Sequence, residues 1–202
     1  MSKLVLYLIT VFSILSFSVA CNRQQKSKSH LDSPGSTAGV ISDNPAVKER
    51  IAMEMHEKLM TYFSPDWMER ESDPDLYPDY YGGSFIDNSG TFVIAVTANR
   101  EESRERLSKV LGSDDFKIEV VQYSYRQMMQ VMDKIDEFLV NKSIPEDHPV
   151  MVHFAGAYPD VMINRVKVIL TEVNDQVINR FKKDISNSPL VVFEKGEMPS
   201  LM

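Results

Sequence analysis

The chain holds one cysteine, Cys21, in 202 residues. No disulfide can close within it, so a folded domain in an oxidising compartment has to stand on packing alone. Histidine is scarce too: His30, His56, His148 and His153 are the full set. No two of them share a ligand spacing such as i, i+4, which argues against zinc. Positive charge also falls short, with 22 lysines and arginines against 29 acids and a net charge of −7. A nucleic-acid partner needs a basic field to displace counterions from phosphate, and the cations here are interleaved with acids, as in Arg100-Glu101-Glu102 and Arg104-Glu105-Arg106.

Catalytic signatures are missing as well. A nucleophilic serine would call for a Gly-x-Ser-x-Gly elbow, and none occurs. Gly82-Gly83 lacks the strand-before, helix-after setting of a phosphate loop and reads as backbone geometry. The acids Asp66, Glu69, Glu71, Asp73, Asp75 and Asp79 lack the turn glycine and distal glutamate of a calcium loop, and read as a solvated loop. A non-catalytic module without metal or cofactor is the expectation.

The N-terminus carries the strongest positive signal. Lys3 precedes an almost unbroken apolar stretch from Leu4 to Phe17, and Ser18-Val19-Ala20 leads into Cys21. This is the layout of a secretory signal whose apolar core is short for a membrane span. Small residues before a cysteine resemble the bacterial lipoprotein signal, although position 18 is serine where that motif most often has leucine. The resemblance implies a signal peptide over residues 1–20, a lipid on Cys21 as the new N-terminus, and a bacterial cell-envelope location anchored to the membrane. Arg23, Lys26 and Lys28 lean toward the periplasmic side. Cleavage would remove Lys3 and no acid, taking the net charge from −7 to −8. Residues 21–43 are polar and broken by Pro34, Gly35 and Gly39. They read as a flexible tether holding the domain on the order of 25 Å from the bilayer.

Folded sequence is expected from Asn44-Pro45, a helix cap and a first-position proline. Ala46, Val47, Ile51, Met55, Leu59 and Phe63 recur at helical spacing, and Ser64-Pro65 ends the run. Residues 44–79 are thus an N-terminal helix and loop. Beyond them a pattern of strand, turn, strand, helix, strand occurs twice at a constant offset of 74. Phe92, Ile94 and Val96 match Val166, Val168 and Leu170; Leu107 and Leu111 match Phe181 and Ile185; Phe116 and Ile118 match Leu190 and Val192. The first unit opens at Ser84-Phe85-Ile86 and turns at Asp87-Asn88-Ser89-Gly90, where asparagine and glycine suit positive φ angles. Asn99 with Glu102 and Ser124 with Gln127 signal two helix starts, and Leu111-Gly112 a helix stop. The second helix, with Met128, Val131, Met132, Ile135, Phe138 and Leu139 on one side, joins the units. Asn141 to Pro149 reads as a linker, and the second unit as running from Met151 to about Glu194, with His153 on a strand. The fold class is α+β: two small three-stranded ββαβ units, residues 80–141 with the amphipathic connecting helix and residues 150–202 with a tail.

The residues then carry a second resemblance. Tyr81-Gly82-Gly83-Ser84-Phe85-Ile86-Asp87 with Thr91-Phe92-Val93-Ile94-Ala95-Val96-Thr97, continuing into Val120-Val121-Gln122-Tyr123-Ser124, resembles the first half of the propeptide domain in the α-lytic protease and streptogrisin family. Asn164-Arg165-Val166-Lys167-Val168 resembles the hairpin of its second half. The resemblance implies a folding catalyst and inhibitor of a serine protease, whose second sheet extends a protease sheet and whose tail enters the active site. The sequence to Met202 leaves no room for a protease, so action on a separate one is expected. Met198, Pro199, Ser200, Leu201 and Met202 are then the candidate partner-binding residues. The alternative is a structural envelope lipoprotein that assembles with other envelope proteins through Met53, Met55 and Met60 of the first helix.

Overall fold

A computed structural model describes residues 44–198. Helix α1 (Pro45–Phe63) starts where the sequence puts it: the Asn44 side chain accepts from the Ala46 N–H, and proline fills the first position. The acidic stretch that follows is not an open loop. Asp66 caps a short helix α2 (Trp67–Ser72) through the N–H groups of Met68 and Glu69, and Asp73 caps a 3-10 turn at Pro74–Leu76. The carboxylates of Asp66 and Asp73 are thus spent on backbone donors.

Strands β1 (Tyr81–Ile86), β2 (Phe92–Val96) and β3 (Lys117–Val120) form one sheet in that order, β1 antiparallel and β3 parallel to the central β2. Helix α3 (Arg100–Leu111) makes the crossover, capped by Asn99 and ended by Gly112 in the left-handed region at φ 66°. Only glycine uses positive φ in the first hairpin turn, at Gly90; Asn88 does not. The turn is organised instead by Asp87, which accepts from the N–H groups of Ser89 and Thr91 and from Lys117 Nζ at 2.6 Å. Lys117 above all holds that carboxyl well below the usual carboxylate range.

The second sheet repeats this topology. Strands β4 (Phe154–Asp160), β5 (Arg165–Leu170) and β6 (Val191–Lys195) lie in that order, with β5 central and α6 (Asp175–Asp184) as the crossover. Both first strands carry a register shift near their start, between Tyr81 and Gly83 and between Phe154 and Gly156. The match of the last strands slips by one residue, however. Ile118 pairs with Ile94 in β3, and the residue beside Val168, the counterpart of Ile94, is Phe193 rather than Val192. Val191 and Phe193 pack on the core accordingly.

Two helices cover one face of each sheet. In the first core Ala52, Met55, Leu59 and Met60 of α1 and Leu107 and Leu111 of α3 meet Phe92, Ile94 and Val96. In the second, the joining helix α4 (Tyr125–Val140) lays Met128, Val131, Ile135 and Phe138 against Val166, Val168 and Leu170, beside Val177 and Phe181 of α6. The repeat is therefore a helix followed by ββαβ, with α4 the second unit's counterpart of α1. Ser124 and Gln127 form the full capping box that opens α4. Between α4 and β4 the chain makes another short helix, α5 (Pro149–His153), so Met151 and His153 are helical and the strand begins at Phe154. Of the three methionines proposed as a surface on α1, Met55 and Met60 are buried and Met53 alone is exposed.

The units meet at a built junction. Tyr125 packs on both cores and lies 4.8 Å from Tyr77, ring centre to ring centre. Arg126 donates to the carbonyls of Asp75 and Tyr77 and to the Asp79 carboxylate, at 2.6, 2.7 and 2.7 Å. Asn164, buried and at φ 54°, exchanges two 2.8 Å hydrogen bonds with the Tyr123 backbone.

Candidate functional site

The second sheet leaves one edge available for pairing, and the residue types decide which. The Val166 N–H donates to Leu190 O at 2.8 Å, so at Val166 the backbone of β5 faces β6. Its antiparallel partner on β4 is Pro159. The proline thus stands at a position whose N–H would point out of the sheet, and its ring removes that donor from the outer edge of β4. Beta-6 has no such block. Leu190 O and Gly196 N–H both bond to β5, the latter to Leu170 O at 2.9 Å. Alternation along the strand then turns the backbone groups of Val191, Phe193 and Lys195 to the free side. The Val191 N–H is taken by Ser188 O. Phe193 and Lys195 keep their backbone groups turned to the free side.

Side chains give this edge two different faces. Toward the helices, Val191 and Phe193 lie on the second core, Phe193 edge-on to Phe181 at 5.1 Å. On the other face stand Val192 and Glu194. Lys167 Nζ, on the central strand, sits 3.1 Å from Glu194 and 3.3 Å from Asp160, above the Tyr158 ring. Glu194 first, then Tyr158 and Asp160, push the ammonium pKa up, so it stays charged. Gly196 lies close against the central strand: a Cβ there would come 2.4 Å from Ile169 Cγ2. Glu197 and Met198 follow, with Met198 exposed. Of the tail residues expected to bind a partner, Met198 leaves directly from this edge. Pro199, Ser200, Leu201 and Met202, like Cys21, lie outside the described residues.

The three histidines among the described residues make structural contacts. His56 Nδ1 is 3.1 Å from Ser84 Oγ, which also bonds the Tyr81 hydroxyl at 2.8 Å. This is a serine–histidine contact, but Ser84 lies inside the β1–β2 ladder, opposite Ile94, instead of on an exposed turn. It ties α1 to β1. Burial, helped by Arg70, lowers the imidazole pKa. His148 caps α5, its Nδ1 accepting from the Val150 N–H, with Nε2 3.1 Å from Asp184. His153 Nδ1 pairs with the Thr171 hydroxyl at 3.0 Å. No group of three or more metal-ligating side chains occurs among the described residues, and no helix among them is long and apolar enough to cross a membrane.

Sequence inspection passed over the Lys167 cluster and the role of Pro159. The signal was present: a proline inside an alternating strand marks an edge. The pairing of Lys167 with Asp160 and Glu194 needed the register, which sequence alone does not supply.

A comparison with curated proteins finds no match. Two family models do match the chain, one described as a Pro-like N-terminal domain over residues 42–121 and the other as a Pro-like C-terminal domain over residues 126–196. The boundary between them falls just before α4, where the second core begins. In chain order, then, this protein matches a Pro-like N-terminal domain and a Pro-like C-terminal domain, one for each sheet.

Proposed function

We propose that this chain is a non-catalytic protein-binding module that takes an extended segment of another protein onto the free edge of β6. The observation that carries the proposal is the edge itself: the backbone groups of Phe193 and Lys195 face outward while Pro159 interrupts the opposite edge. The propeptide-like matches over both units support a partner of the serine protease class, which the chain would inhibit or help to fold, with the tail from Met198 to Met202 leading toward its active site. Held to the membrane through a lipid on Cys21, it would act on a separate protease in the envelope. The alternative of a structural lipoprotein assembling through α1 loses two of its three methionines to the core.

The test is inhibition of a panel of trypsin-like serine proteases by the full chain, beside Phe193→Pro and a chain ending at Glu197. Inhibition of at least one protease that Phe193→Pro abolishes, with its far-UV spectrum retained, supports strand addition. Undiminished inhibition by Phe193→Pro overturns it, and undiminished inhibition by the shortened chain removes the tail from the mechanism. A chain that inhibits and refolds no protease of the panel overturns the protease partner.

A further inference from the structure

The two faces of the β6 edge differ in charge, and that difference reaches whatever strand is added. On the open face Lys167 is shared between Asp160 and Glu194, so the cluster carries one more negative than positive charge. Asp160 is largely covered, whereas Glu194 is more than half exposed and stands on the edge strand itself. On the helix-side face the corresponding charge is Lys195, paired in register with Leu170. A strand laid beside β6 places alternate side chains over these two faces. Residues directly opposite across a strand pair lie about 5 Å apart, close enough for opposite charges to attract and like charges to repel.

We infer, building on the strand-addition proposal, that β6 selects an extended protein segment carrying lysine or arginine at the position beside Glu194. The neighbours of that basic residue fall on the other face, against Phe193 and Lys195, where apolar or acidic side chains fit. Selection is therefore by position along the segment and not by its net charge. A segment with an acid beside Glu194 sets a like charge against the more than half exposed carboxylate of the edge strand, and is rejected.

A displayed library of random segments of about ten residues, panned on the full chain in detergent, tests this. Glu194→Lys, Glu194→Gln and Phe193→Pro are panned in parallel, with the urea midpoint of each recorded. Segments selected on the unaltered chain should be enriched about 1.4- to five-fold in lysine and arginine at one position, the range set by opposite-charge cross-strand pairs. Glu194→Gln should lose that preference and Glu194→Lys should turn it to acids. Should charge usage be the same on all three while Phe193→Pro retains nothing, charge selection is wrong and strand addition stands. Retention of the same segments by folded Phe193→Pro overturns strand addition and the selection with it.

Discussion

Gly83 takes a conformation and a space that no other residue could share. Its φ is 115°, and a Cβ would lie 2.5 Å from Val161 Cγ1 on the second unit. Gly83→Ala combines a strained backbone with an overpacked contact, so we expect a loss of about 2–3 kcal/mol in urea unfolding. The sequence marked Gly82-Gly83 as backbone geometry; that the crowding atom belongs to Val161 depends on a docking that periodicity does not encode. His56 supplies a pH dependence. Its folded-state pKa lies below the unfolded value of about 6.5. Below that value the unfolded chain takes up a proton that the folded chain resists, so its contribution is complete above about pH 6.5 and is lost as pH falls through the lower folded value. Urea midpoints measured from pH 7.5 to 5 should fall for the unaltered chain and flatten over that window for His56→Gln.

Among the elements, those with a strong period or a defined cap were legible. Helix α4 shows both, and its capping box is formed as the Ser124–Gln127 spacing indicated. Ser124→Ala should cost about 1 kcal/mol, read as a lower melting temperature. The short elements were not legible. Helix α2 has no buried residue and α5 spans five positions, too few for an apolar period to register. Each is nucleated by one capping side chain, Asp66 or His148, that also reads as an ordinary loop residue. The one-residue slip in β6 was hidden for a related reason. Leu190, Val191, Val192 and Phe193 are all apolar, so alternation could not say which of them face the core.

Across the whole molecule, the order of the two units was visible and their docking was not, because it depends on single polar groups far apart in sequence. Arg126 is the chief of these. Arg126→Ala would leave the carbonyls of Asp75 and Tyr77 and the Asp79 carboxylate without that donor. We expect about 1–3 kcal/mol lower stability and faster amide exchange at Tyr77 and Tyr81, with the second core's exchange little changed. The tail residues proposed to bind a partner rest on family resemblance alone; the β6 edge needed the sheet topology.

The two central strands finish the comparison between the units. All five residues of β2 are buried, Val93 and Ala95 included, whereas β5 buries only every second one. Lys167 and Ile169 occupy the places that Val93 and Ala95 hold in the first unit. The repeated plan thus presents the same sheet face twice, covered at Val93 and Ala95 in the first unit and only half-covered at Lys167 and Ile169 in the second. In the first unit a larger or charged side chain at Val93 or Ala95 would have to displace packed neighbours, so those positions suit small apolar residues. The equivalent positions of the second unit are under no such packing constraint, so a long polar side chain such as that of Lys167 fits there at no cost to the core.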